Sequence, residues 1–232
     1  ILTVIGGGSV TWMPSLMQDI YLIDELDGGE IRLVDPDIES VHLIKEMLLT
    51  FNRLRNKSYD VSVVNDRQEA LDGADFVLCT MSPGSLPAFY HDLEIPIKYG
   101  IRQPVSMTVG PCGISASLRT VPVAYELVED MERMCPDAWM LNVTNPMSTV
   151  TKAMHIASKK TKIIGMCHEF HAFPSFIEQI LGIKKPEDMD LLDFLYQWLP
   201  ENGFDYTVAG INHFIFLTKA VYRGEDMLPQ IR

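Results

Sequence analysis

A cysteine and two histidines follow directly on a short apolar run in IIGMCHEFHAF (163–173), and another histidine sits in AGINHF (209–214). Thiolate and imidazole are borderline-soft donors that suit a transition-metal ion, and imidazole also works as an acid or base near neutral pH. From the residues alone three readings stay open: a metal site, an acid/base site, or an accident of composition with Cys167 a buried thiol.

A second set of residues has the types and spacing of a dinucleotide site. In VIGGGSVTW (4–12), Gly6 and Gly8 fit the first two positions of G-x-G-x-x-G, and Thr11 stands where the third glycine would be. Glycine is wanted where a backbone turns tightly beside a pyrophosphate, whose charge a helix N-terminus favours. Ser9 and Val10 belong to the same turn. Asp35 in LVDPD ends the second apolar run, where a carboxylate accepts ribose hydroxyls and repels a 2′-phosphate. Asp35 or Asp37 could instead cap the next helix. Ser82 and Pro83 in TMSPGS (80–85) and Asn142 in NVTNP (142–146) end later runs and join the candidate cofactor residues. Asn145, held extended before Pro146, could read a hydroxyl group or be a turn residue.

The elements that would position these residues alternate. Apolar runs at 2–5, 31–34, 61–64, 75–81, 138–143 and 162–166 read as strands buried on both faces. Helical patterns follow the glycine turn to about residue 25, run from 36 to about 55, and follow Ser117 with Pro122 near the start. This alternation predicts an α/β fold, a doubly wound Rossmann-type parallel sheet, over residues 1–167. Residues 168–232 begin a second, α+β domain, with helices near 174–181 and 188–198 and then a hairpin. That domain is expected to be incomplete at Arg232, leaving surface for a partner, so a homo-oligomer is expected.

Composition narrows the partners. The chain has 232 residues, 47% hydrophobic, and a formal net charge of -12, which disfavours nucleic acid and anionic membrane. No apolar run is long enough to span a membrane, and the first residues read as a strand rather than a signal peptide. Cys79, Cys112, Cys135 and Cys167 lack paired spacing, so reduced thiols in the cytoplasm are expected.

With these pieces in order, the chain resembles the family 4 glycoside hydrolases, NAD- and divalent-metal-dependent glycosidases related in fold to lactate and malate dehydrogenases. The resemblance is carried by VIGGGS, DPD, GPCGISASLRTVPV, NVTNPM, GMCHEF and AGINHF. It implies that Cys167 and His213 bind the metal, usually manganese, that His168 is the acid catalyst, and that Asn145 contacts the sugar. C-H-E resembles the α-galacturonidase branch, whose sugar carries a carboxylate. The implied reaction oxidises C3 of the sugar with NAD, eliminates the aglycone, adds water and returns the hydride. Arg119 is the candidate partner for the sugar carboxylate, with Glu169 orienting His168; alternatively Arg119 pairs with Glu169 or Asp92. His171 matches no role in the family.

Two departures from the family pattern stand out. Met107 occupies the place of an acidic residue that supports the base, and Cys112 replaces a usual glycine. The base itself, a Tyr or Asp, is expected beyond residue 232. Two other functions compete. A lactate/malate-type dehydrogenase would carry D-S-x-R and H-G-D motifs, which do not occur. A non-catalytic NAD-binding relative would accommodate Met107.

Overall fold

The computed structural model describes residues 1–103 and 109–231. Two compact units emerge, Ile1–Met166 and Cys167–Arg232. The first unit runs β1 (Leu2–Ile5), α1 (Met13–Tyr21), β2 (Glu30–Val34), α2 (Ile38–Arg55), β3 (Asp60–Val63), α3 (Arg67–Leu71), β4 (Phe76–Cys79), α4 (Ser85–Ile97), α5 (Gly110–Met134), β5 (Trp139–Asn142), α6 (Met147–Ala157) and β6 (Lys162–Gly165). The six strands form one sheet in the order β3-β2-β1-β4-β5-β6, and every ladder is parallel. The order reverses between β1 and β4, the switch point at which doubly wound sheets collect ligands.

Both faces of this sheet are covered, which is why its strands read as continuous apolar runs. Successive residues of a strand point to opposite faces. Val4, Leu33 and Leu78 pack with Met13, Met17, Val41 and Ile44 of α1 and α2. Their neighbours Ile5, Val34, Val77 and Cys79 pack with α3, α5 and α6 through Leu71, Leu127, Met131 and Val150.

The sequence pattern misplaces one helix start. α5 begins at Gly110 rather than after Ser117, and Pro122 lies inside it. Pro111 supplies the helix-starting proline instead, and a buried stripe of Cys112, Ala116, Thr120, Ala124, Leu127 and Met131 carries the helix past Pro122.

The second unit has its own core of Phe173, Ile177, Phe194, Leu195, Leu199, Phe204, Ala220 and Met227. Its elements are α7 (Phe173–Leu181), α8 (Leu191–Asp193), a π-helical turn Phe194–Trp198, α9 (Leu199–Glu201), the antiparallel strands β7 (Phe204–Ile211), β8 (Phe214–Tyr222) and β9 (Glu225–Asp226), and α10 (Leu228–Ile231). Among the described residues no helix is long and apolar enough to cross a membrane.

One carboxylate fixes the entry to the last parallel strand. Glu132 Oε1 accepts from the amides of Lys160 at 2.8 Å, Lys159 at 2.9 Å and Thr161 at 3.1 Å, and from the hydroxyls of Thr161 and Ser158. These bonds, led by the one from the Lys160 amide, pull its carboxyl from the ordinary 4.5 down to about 2. A group with a depressed folded-state value stabilises fully above its unfolded value and loses that contribution as pH falls toward the folded one. Glu132→Ala is therefore expected to lower Tm by roughly 3–6 °C near neutral pH. The gap to the wild type should narrow between about pH 4.5 and about pH 2. Thermal melts of both proteins across that range provide the check, and a pH-independent gap would refute the assignment.

Candidate functional site

In the first unit, a cleft of about 1160 Å³ opens beyond the carboxyl ends of β1, β2 and β4. Gly6, Gly8, Ser9, Asp35, Ser82 and Pro83 line it. Gly6 adopts φ +90, and a Cβ there would lie 2.5 Å from the Thr80 carbonyl oxygen, so both conformation and space require glycine. Its amide donates to Val34 O at 2.9 Å, which ties the turn to β2 as well. The Gly8 amide donates to Asp35 Oδ2 at 3.2 Å, and the Asp37 amide donates to Asp35 Oδ1 at 2.9 Å. Asp37, not Asp35, caps α2, accepting from the Ser40 amide at 3.1 Å. That leaves Asp35 facing the cleft with a spare lone pair on each oxygen.

The glycine turn does not open directly into a helix. α1 starts only at Met13, after a turn in which Ser9 O and Ser9 Oγ accept from the amides of Met13 and Trp12. α4 begins at the cleft, entered through Gly84 (φ +83) and Ser85 (φ +50), both of which line it. Gly84, Ser85, Thr80 and Asn65 are lining residues that the sequence pattern did not single out. The glycine of S-P-G-S was the available signal.

Two candidate cofactor residues lie elsewhere. Val10 is 59% exposed and is not among the lining residues. Asn142 is fully buried, its amide nitrogen donating to Thr151 Oγ1 at 2.9 Å and its oxygen accepting from the Thr144 amide at 3.0 Å. Its side chain binds the protein's own backbone and hydroxyls, and it does not line the cleft. Asn145 is half-buried, joined to Pro146 by a cis peptide, and its Oδ1 accepts from the Met147 amide at 3.3 Å.

Arg119 is not poised for a substrate carboxylate. It forms a two-pronged ion pair with Asp92, Nη1 to Oδ1 at 2.8 Å and Nη2 to Oδ2 at 2.5 Å, and its Nε donates to Pro83 O at 2.9 Å. Asp92 is 1% exposed, so the pair staples α4 to α5, and removing the arginine would strand a buried charge. Arg67 lines the cleft too, but its guanidinium is bound to buried Asp130.

In the second unit, the polypeptide does bring Cys167 and His213 together. The exposed Cys167 Sγ lies 3.4 Å from His213 Nε2. Strands β7 and β8 are joined by the two-residue turn Asn212–His213, and His213 takes φ +58 there. An ion about 2.3 Å from sulfur and about 2.1 Å from nitrogen, with an angle of roughly 90–110° between them, holds the two atoms about 3.1–3.6 Å apart. The donor pair therefore fits a divalent metal. Among the described residues, no group of three or more His, Cys, Asp or Glu side chains is arranged for a metal.

His168, the acid candidate, is exposed and precedes the 3₁₀ turn Glu169–Ala172. Glu169 reaches the hairpin that carries His213. Glu169 Oε2 accepts from the His213 amide at 2.7 Å, and the Glu169 amide donates to Cys167 Sγ at 3.4 Å. The other thiols, Cys79, Cys112 and Cys135, are buried, which pushes all three above the ordinary thiol range and Cys135 to about 11. Met107 and the side chain of His171 lie outside the described residues.

Comparison with known proteins accords with this geometry. Residues 1–183 match the profile of the family 4 glycosyl hydrolases. The chain is 35% identical over its whole length to an alpha-galactosidase of Bacillus subtilis (strain 168), covering 50% of that protein. It is 34% identical to an alpha-galacturonidase of Thermoanaerobacter italicus over 98% of this chain and 47% of the relative. A 6-phospho-alpha-glucosidase from gut microorganisms, solved in complex with NAD and Mn2+, superimposes with TM-score 0.77 at 26% identity, over 99% of this chain and 49% of that one. A lactate dehydrogenase from Eimeria maxima, at 15% identity and TM-score 0.57 over 99% of this chain and 59% of that one, shares the fold alone. The chain spans about half the length of the curated relatives it matches.

Proposed function

Because the chain belongs to the family 4 glycosyl hydrolases, we propose that it serves an NAD- and divalent-metal-dependent glycosidase acting on an α-glycoside, an α-galacturonide foremost. The observation that carries this reading is the 3.4 Å approach of Cys167 Sγ to His213 Nε2 across 46 residues. When bound, NAD supplies a hydride acceptor for a sugar hydroxyl, and the cation, manganese or another, supplies charge that polarises the oxidised sugar.

The chain's own residues do the rest. Cys167 and His213 would hold the cation, leaving the remaining positions to oxygen ligands. Gly6, Gly8 and Ser9 would border the pyrophosphate, with Ser82 and Pro83 on the wall of the same cleft. Asp35 would accept the ribose hydroxyls on its spare lone pairs and exclude a 2′-phosphate by charge. Among the described residues the one arginine lining the cleft, Arg67, is occupied by Asp130 and offers no counter-charge to such a phosphate. His168 would donate the proton to the leaving oxygen, and the Asn145 amide would read a sugar hydroxyl. A relative named alpha-galacturonidase supports the uronide. A neutral α-galactoside is the second reading, favoured by the Arg119–Asp92 pair, which removes the most obvious cation for a sugar carboxylate.

Three outcomes follow. Cys167→Ser should lose bound metal and turnover while retaining NAD, because a hydroxyl is a far poorer ligand than a thiolate. Elemental analysis finding the metal fully retained would refute the cysteine's role. Asp35→Ala should weaken NAD by about 1–3 kcal/mol, and calorimetric titration giving equal affinities would count against the ribose contact. The full-length enzyme with NAD and Mn2+ should turn over p-nitrophenyl α-galacturonide faster than the α-galactoside. The reverse preference would overturn the uronide and leave the glycosidase standing.

A further inference from the structure

Three contacts in the second unit close a ring. Cys167 Sγ approaches His213 Nε2 at 3.4 Å, the Glu169 amide donates to Cys167 Sγ at 3.4 Å, and the His213 amide donates to Glu169 Oε2 at 2.7 Å. The shortest of the three is the one made by the Glu169 carboxylate. His213 hangs from a two-residue turn at φ +58, a backbone state that a residue with a Cβ adopts reluctantly. The strand before it offers little freedom: Gly210 sits at φ +142, where a Cβ would meet Phe214 O at 2.3 Å.

An imidazole on such a turn needs something to hold the backbone beneath it. We infer that Glu169 is a positioning residue, whose carboxylate clamps the His213 amide and so presents the imidazole to the Cys167 thiol. It acts through His213 and need not touch substrate. Its half-buried side chain accepts from the backbone on the far side of the ring from its own amide, so one residue orients both donors at once. Groups that orient metal-binding side chains commonly change metal affinity by about 10–100-fold when lost. The consequence for metal binding rests on the reading of Cys167 and His213 as the metal pair. The clamp itself does not.

The test uses the full-length protein and Mn2+ alone as probe. Glu169→Ala should bind Mn2+ at least about 10-fold more weakly than the wild type, with NAD affinity unchanged. Glu169→Gln keeps an oxygen acceptor for the His213 amide and should stay within about 3-fold of the wild type. Equal Mn2+ affinity in Glu169→Ala, or a glutamine variant as weak as the alanine one, would overturn the inference. Hydrogen exchange on the unmodified metal-free protein reads the clamp directly, even if the alanine variant fails to fold. The His213 amide should exchange slowly, and exchange at the rate of an unprotected amide would overturn the clamp. Absence of Mn2+ binding in the wild type would instead sink the proposed function, with the exchange result still deciding the clamp.

Discussion

At Gly6 two backbone segments pass so closely that a single added carbon would sit 2.5 Å from the Thr80 carbonyl oxygen. That approach lets the turns after β1 and β4 meet over the switch point of the sheet, while the Gly6 amide bonds to the end of β2. Three strand ends are drawn to one place by a residue that contributes no side chain. The cleft follows from this, since its lining comes chiefly from these turns and the segment after β3. Asp35 depends on it too, because the Gly8 amide that steadies its carboxylate belongs to the same turn.

Several acids in this chain of net charge -12 act inside the protein rather than on its surface. Asp92 and Asp130 are nearly fully buried, and each is matched to an arginine: Asp92 to Arg119, Asp130 to Arg67. A buried carboxylate is tolerable only with a partner of good geometry, and such a partner is then unavailable to a ligand. Arg119 shows the consequence. Its position in the family-like loop and near a helix start made a substrate anion plausible, while its true partner lies 27 residues away on another helix.

Much of the fold was legible because the strands are buried on both faces and so read as unbroken apolar runs. α3, α4 and α6 were not read: α3 is only five residues long, and α4 contains Pro87 and Pro96 and exposes Leu86 and Tyr90, which hides its periodicity. The start of α5 was misread because Pro122 imitates a helix-opening proline, and only the packed stripe from Cys112 onward shows otherwise. At the sites, residues fixed by backbone geometry were recoverable, as with Gly6, Gly8 and Asp35. Residues whose role depends on a distant acceptor were recoverable at most as one alternative among several, as with Arg119 and Asp92. Glu169 could be placed beside His168 by sequence, but its bond to the His213 amide needs the hairpin to exist first.

Asn142 shows how a buried side chain can fix the end of a strand without lining the cleft. It ends β5, and its carbonyl accepts from the Met166 amide at 2.9 Å, one residue beyond the end of β6. Its side chain is meanwhile tied to Thr144 and Thr151, so the acceptor cannot drift. Met166 is the last residue of the first unit, and Cys167 is the first of the second. Within the second unit, the two-residue turn Asn212–His213 returns the imidazole to the thiol across 46 residues. A cysteine on a free loop would have to lose that conformational freedom each time a ligand bound. Here the ordering is done by folding, through the hairpin that carries His213 and the Glu169 carboxylate bound to its amide.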